Sequence, residues 1–411
     1  MHAPQISVII PVFNKWALTR NCLAALREHS PAGIEVIVVD NASTDETAGA
    51  LEPLGRELFG DGFLAIRNRE NINFGPACNL GAKAATAPLV FFLNNDTIPT
   101  PGWLAPLLAG LDKPGTGAVG PLLLYENRTV QHLGIAFSTT GISHLYAGFP
   151  ESHPAVGRKR KLQAITGAAM LLSKELFFAT GAFHEGYRNG FEDVDLCVQL
   201  RNAGHSLQCV RDSIIFHLEG QSEGRGTDER HNAALLSERC KEFFHPDLHH
   251  HGMRDGFTPV INDRLGVSLL VSDKQDRELM DSVEGKGAEF LFQLAEANPY
   301  WVRGYEILGD LLAENGSDSE ASYMFSRIIK FFPNLAYARR TYELAVRSGD
   351  AEAVEHARAC LEPLRFLLSD KAKYKAATRR FIATAEEYGD TGLAELYAQK
   401  LAGLPREFNE G

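Results

Sequence analysis

The sequence predicts an α/β domain with a Rossmann-like, mostly parallel sheet, followed by an all-α domain of helical repeats. Three observations carry this reading. Short β-branched runs alternate with amphipathic stretches in the first half, polar residues gather just after those runs, and beyond about residue 260 the chain turns Ala-rich and helical. At 411 residues the chain exceeds one average core. The expected division is an α/β domain over 1–260, a linker over 261–285 and repeats over 286–411.

The elements follow in order. "ISVIIPVF" (6–13) has the unbroken apolar character of a strand covered on both faces, and 15–29 follows as a helix with Trp16, Leu18, Cys22, Leu23 and Leu26 on one side. "IEVIVVDNAS" (34–43) is the next strand, with Asp45-Glu46 suited to a helix amino terminus. Residues 63–67 form a third strand, 75–85 a helix and "LVFFL" (89–93) a fourth strand. After Gly120 strand-like pieces, "VQHLGIAF" and "AAMLLS", lie among Gly- and Pro-rich loops. A helix then runs from Glu192 to a glycine stop at Gly204, and "SIIFHLE" carries His217.

Composition removes several classes of function. A formal net charge of −11 argues against a nucleic-acid grip, which needs clustered Lys and Arg. The one dense basic run, Arg158 to Lys161, reads as a solvated loop. Six scattered cysteines with no CxxC pair give neither a zinc knuckle nor a disulfide framework. No stretch approaches a membrane span and the amino terminus lacks a signal-peptide pattern, so a cytoplasmic chain with at most peripheral membrane contact is expected.

The chemistry-bearing residues fall at carboxyl ends of strands, where open α/β sheets bind ligands. "PVFN" (11–14), "VDNASTD" (39–45), "NNDT" (94–97) and His217 would meet on one edge, bringing Asp40, Asp96 and His217 together. Taken singly, each has a plainer role: capping loop for Asp40, turn former for Asp96, structural histidine for His217. "GFEDVDLCVQL" (190–200) places Glu192 and Asp193 at a helix start, where the dipole alone favours acids and where a general base would also be well placed. "HPDLHHHG" (245–252) reads as a solvated linker rather than a metal tract.

These blocks, "SVIIPVFN", "VIVVDNASTDET", "NINFGPACNLGAKAATAPLVFFLNNDT" and "ITGAAMLLSKELFFATGAFHEGYRNGFEDVDLCVQLRNAGH", together with His217, resemble the family 2 glycosyltransferases, especially their rhamnosyltransferase-like bacterial branch. The resemblance covers roughly residues 5–220. It implies a GT-A fold and a metal-dependent, inverting enzyme of the hexosyltransferase type that moves a sugar from a nucleotide-diphosphate donor, UDP or dTDP in type, to a hydroxyl acceptor. Carried over, it implies that Pro11, Val12, Asn14, Asp40, Asn73, Asn79, Asn94 and Asn95 bind the donor, with Gly75 allowing close backbone approach. "NND" stands where the family has its D-x-D triplet, so Asp96, with His217, would hold Mn²⁺ or Mg²⁺. Asp193 would be the general base, with Glu192 the other candidate. Gly167, Ala168 and Trp103 would face the acceptor.

In the second half, Tyr305, Leu308, Gly309, Leu312, Gly316, Ala321, Phe325 and Pro333 occupy the positions of a tetratricopeptide repeat, echoed at 337–363 and again through Gly389, Ala394, Ala398 and Pro405. Concave helical repeats suit peptides, so a protein acceptor is expected, with a cell-surface glycan or lipid-linked acceptor as the alternative. A second class of function is a nucleotide-sugar-binding scaffold that has lost catalysis, suggested by Asn94 and Asn95. A nucleotidyltransferase or dinucleotide oxidoreductase is disfavoured, because no glycine-rich loop follows the first strand.

Overall fold

A computed structural model describes residues 4–218 and 228–404; Pro405 of the expected third repeat lies outside them. The chain divides into two compact units, residues 1–136 with 143–244, and 137–142 with 245–411. An α/β unit followed by an all-helical region is the architecture expected from sequence.

In the first unit, β1 (Ile6–Val12), α1 (Trp16–His29), β2 (Glu35–Asp40), α2 (Thr47–Phe59), β3 (Phe63–Arg67), α3 (Phe74–Ala84) and β4 (Leu89–Leu93) alternate. Then come β5 (Thr97–Pro99), α4 (Leu104–Leu111), β6 (Thr116–Leu124), β7 (Val130–His132), β8 (Ile135–Ser138) and β9 (Gly141–His144), whose residues 137–142 belong to the second unit, β10 (Ala169–Ser173), α5 (Lys174–Ala179), α6 (Glu192–Asn202), β11 (Ser206–His217) and α7 (Glu229–Cys240). The main sheet has the order β3-β2-β1-β4-β10-β6-β11-β5, with β7 on β6. Strands β3, β2, β1 and β4 are parallel, β10 runs against both its neighbours, and β11 is parallel to β6.

Every residue of β1 is buried, as the unbroken apolar run required. Helix α1 packs Cys22, Leu23 and Leu26 against the sheet at helical spacing. Helix α3 comes closer still, because a Cβ on Gly81 would fall 2.5 Å from Ile9 Cγ2. Strand β6 joins the core through Val119 and Leu123. All six cysteines are free thiols.

In the second unit, α8 (Leu248–Arg254) leads into a hairpin of β12 (Phe257–Ile261) and β13 (Val267–Val271). The helices α9 (Asp273–Val283), α10 (Ala288–Ala297), α11 (Val302–Glu314), α12 (Asp318–Phe331), α13 (Leu335–Ser348), α14 (Ala351–Ser369), α15 (Lys371–Glu387) and α16 (Thr391–Ala402) follow. Residues 261–285, expected as a linker, thus hold β13 and α9, and the break between units falls at 244/245. The tract "HPDLHHHG" is not a solvated linker: Leu248 to Gly252 lie in α8, with His249 and His251 buried.

Helices α11 and α12 pack through the residues that the repeat pattern singled out, Tyr305, Leu308, Ala321 and Phe325 being buried together. A Cβ on Gly309 would lie 2.6 Å from the Phe325 ring. Among the described residues, no helix is long and apolar enough to cross a membrane. Gly309→Val should therefore destabilise the helical unit by about 1–3 kcal/mol through overpacking. Urea denaturation followed by far-UV circular dichroism, which is dominated by helices, would read this as an earlier midpoint.

Candidate active site

The carboxyl ends of β1, β2 and β4 form one edge of the sheet, and the start of β10 lies beside the end of β4 because those strands are antiparallel. Here the chain leaves β1 through Phe13, which is 48% exposed, and Asn14, whose φ of 56° turns the backbone sharply. Asn14 Oδ1 accepts from the backbone N–H groups of Thr44 (2.8 Å) and Asp45 (3.3 Å), while its own N–H donates to Ser43 Oγ (2.7 Å). Asp40 is buried; it accepts from the Ser43 N–H at 2.8 Å and faces Arg67 Nε at 3.7 Å. Pro11 and Val12 are buried in β1, so their side chains shape the floor beneath this tip.

A ladder of asparagines continues the edge. Asn68 Nδ2 donates to Asn41 Oδ1 (2.8 Å), Asn41 Nδ2 to the Asn73 carbonyl (3.3 Å), and Asn189 Nδ2 to Asn73 Oδ1 (3.2 Å). Asn79 behaves differently. Its amide donates to the Phe183 carbonyl (2.8 Å) and Glu185 Oε1 (3.2 Å) and accepts from the Phe183 N–H (3.1 Å). Both its donors are engaged by protein, so Asn79 clamps the 183–185 segment rather than facing a donor. Gly75 likewise admits protein: a Cβ there would meet Phe183 at 3.3 Å.

At the tip of β4, the Asn94 N–H donates to the Ala168 carbonyl at 2.9 Å, and Asn95 Nδ2 to Thr19 Oγ1 at 2.9 Å. Asp96 is buried, and His217, arriving at the end of β11, sets Nε2 3.1 Å from its Oδ1. Gln131 on β7 fixes that ring: its Nε2 donates to the His217 carbonyl (3.0 Å), which leaves Oε1 as an acceptor 2.6 Å from His217 Nδ1. The proton of a neutral imidazole therefore sits on Nδ1, and Nε2 presents a lone pair towards Asp96. Asp96 Oδ1 is buried without a hydrogen bond. The donor near Nε2 is Asn94 Nδ2, at a long 3.3 Å. Two converging lone pairs, one on an orphaned carboxylate oxygen, fit a divalent cation.

Asp193 reaches the same edge through Gly167. Its Oδ2 accepts from the Gly167 N–H (2.8 Å) and its Oδ1 from the Val194 N–H (2.8 Å), while a Cβ on Gly167 would lie 3.1 Å from Asp193 Cβ. Thr166 is held by His132 Nε2, which accepts its N–H at 3.2 Å. Burial, with the neighbouring His144 and His217, holds His132 well below the ordinary imidazole range, so it stays a neutral acceptor. Glu192 is only 6% exposed and accepts the Gly190 N–H at 2.7 Å, so Asp193 is the more accessible acid.

Asp195 on the same helix anchors it. Burial alone would raise its carboxyl, yet Arg239, Gln199 and Tyr187 together hold it below the usual range. Of the residues expected at the site, Asp40, Asn94, Asp96, Gly167, Ala168, Asp193 and His217 share one edge. Trp103 does not join them. Its ring is fully buried against Phe91, at 4.8 Å between centroids, and Nε1 donates to Ser30 Oγ (3.2 Å), so it is core and has no face for a sugar. Gln131, His132 and Asp195 were missed, since a polar residue in a strand or a third acid in a helical turn has no motif of its own. Asn79→Leu should destabilise the first unit by about 1–3 kcal/mol by orphaning the Phe183 backbone groups. Urea unfolding followed by tryptophan fluorescence would measure the loss.

The glycosyl transferase family 2 model matches residues 7–177. Among curated proteins, the chain is 28% identical over 230 residues to the uncharacterized protein y4gI of Sinorhizobium fredii, covering 54% of this chain and 25% of that protein. It is 30% identical over 228 residues to the O-antigen biosynthesis protein RfbC of Myxococcus xanthus, covering 53% of this chain and 18% of that one. The chain thus spans a quarter or less of the length of these two relatives. A crystal structure of GalNAc-T7 with UDP, GalNAc and Mn²⁺ aligns with a TM-score of 0.44 at 19% identity, over 53% of this chain and 45% of that one. Residues 7–177 are therefore a glycosyltransferase family 2 domain, within a GT-A unit that an all-helical region follows.

Proposed function

We propose that the protein transfers a sugar, with inversion, from a nucleotide-diphosphate donor to a hydroxyl acceptor. One observation carries the reading: the convergence of the Asp96–His217 pair and Asp193 on one sheet edge, joined through Asn94, Ala168 and Gly167. The Asp40 loop and the asparagine ladder form the donor side, where Phe13 offers an exposed ring face to a base. A divalent cation, Mn²⁺ or Mg²⁺, held by Asp96 and His217 would neutralise charge on the departing diphosphate.

The chain's own residues do the rest. Asp193, fixed by two backbone N–H donors, keeps further lone pairs with which to accept the acceptor's hydroxyl proton as the oxygen attacks the anomeric carbon. The carbon–oxygen bond to the acceptor forms as the bond to the diphosphate breaks, through a transition state of oxocarbenium character. Gly167 and Ala168 hold the backbone between base and leaving group, so positioning supplies much of the rate. The relative named for O-antigen biosynthesis directs the acceptor towards a cell-surface glycan; a peptide bound by tetratricopeptide-like helices is the alternative.

Purified protein incubated with a panel of nucleotide sugars should release nucleotide from one donor with Mn²⁺ or Mg²⁺ and not with EDTA. Asp193→Asn should lower kcat by about 10²–10⁴-fold while donor binding by calorimetry persists; Asp96→Ala should lose metal-dependent release. No donor binding by wild type, with or without metal, would overturn both the transferase reading and the nucleotide-sugar-binding scaffold. Gln131→Leu should weaken metal affinity about 10–100-fold by freeing the His217 ring. Mn²⁺ titration in the presence of nucleotide diphosphate reads that change.

A further inference from the structure

A second cluster of ligand atoms lies wholly within the helical unit. His249 and His250 on α8 both turn Nε2 towards one oxygen of Asp390, the residue that caps α16: Asp390 Oδ2 is 2.7 Å from His249 Nε2 and 3.1 Å from His250 Nε2. The three ligand atoms lie within 4.8 Å of one another. The two rings are 3.9 Å apart between centroids. We propose that His249, His250 and Asp390 form a structural Zn²⁺ site that pins α8 to the start of α16.

Three physical arguments carry the assignment. First, the donor set, two imidazole nitrogens and a carboxylate oxygen, is one that zinc takes in a tetrahedral site with water in the fourth position. Ligand atoms about 2.0–2.2 Å from zinc lie about 3.3–3.6 Å apart in a tetrahedron, so the His250 pair at 3.1 Å would open by a few tenths of an ångström and the His249 pair at 2.7 Å by more than half an ångström. Second, the division of exposure suits a bound ion. His249 is 1% exposed, whereas the His250 side chain is 57% exposed and leaves an open side for entry and a water ligand.

Third, Asp390 keeps one carboxylate oxygen for the cation while the other caps its helix. The capping bond from the Leu393 N–H uses Oδ1, at 2.9 Å, so Oδ2 is left to the two rings.

The test uses the full chain, stripped of metal and equilibrated with Zn²⁺ alone, with zinc counted after dialysis. Wild type and Asp96→Ala should both retain an equivalent that His250→Ala lacks. Zn²⁺ should raise the thermal midpoint of wild type and Asp96→Ala but not of His250→Ala, and Co²⁺ should give the visible absorption of a tetrahedral site in the first two only. Should His250→Ala fail to fold, Asp390→Asn retains a capping acceptor and removes the ligand charge, and should lose the same equivalent. No zinc retained by wild type, or zinc lost in Asp96→Ala and kept in His250→Ala, would overturn the proposal.

Discussion

The antiparallel pairing of β10 with β4 is the constraint on which the candidate site depends. Parallel strands deliver only their carboxyl ends to the ligand-binding edge of a sheet. A strand that runs against its neighbours begins where they end, so the Ala169–Leu93 register sets Gly167 and Ala168 beside the tip of β4. From that placement the rest follows by short contacts: Asn94 binds the Ala168 carbonyl, Gly167 binds Asp193, and α6 is thereby fixed against the edge that carries Asp96. A slip of one residue would exchange the faces of β10 and break both bonds.

A chain of net charge −11 cannot draw the diphosphate of the proposed donor by long-range attraction. The edge uses backbone and amide groups instead of clustered basic side chains. Asp40, Asn14 and Asp193 each spend acceptor capacity on backbone N–H donors, which rigidifies the loops before any ligand arrives. The cost of converging anionic and lone-pair groups is concentrated at Asp96 and His217, where an orphaned carboxylate oxygen remains. With asparagine in place of a first acid, fewer protein charges meet there. Under the proposed function, more of a cation's coordination would then come from the ligand's own phosphate oxygens and from water.

The fold was largely legible because β1, β2 and β4 are covered on both faces and so write long apolar runs, and because polar residues begin where those runs stop. What could not be read depended on contacts remote in sequence. Asn79 resembled a ligand contact, yet its partners lie 104 residues away at Phe183. Trp103 follows the Asn94–Asp96 tip in sequence but turns inward onto Phe91, and an aromatic's position alone does not say which face is covered. Gln131 shows no motif; its importance exists only once β7 and β11 bring it to His217. The histidine tract read as solvated linker because composition was weighed without its partner, Asp390, 141 residues on.

Repeat arrays are held together by contacts between neighbours, which lets them open piecemeal. The helical unit here departs from that rule through the turn of the β12–β13 hairpin. The Asp263 N–H donates to the Pro333 carbonyl (3.0 Å), its carboxylate accepts from the Leu335 N–H at the start of α13 (2.7 Å), and it meets Lys400 on α16 at 2.6 Å. Tyr397, also on α16, donates to the Leu265 carbonyl at 2.7 Å in the same turn. One turn thus ties helices distant in sequence, so opening α16 exposes groups that α13 also needs. Such shared anchors couple local openings into larger cooperative ones, which is the property a helical region requires if its surface is to keep one shape.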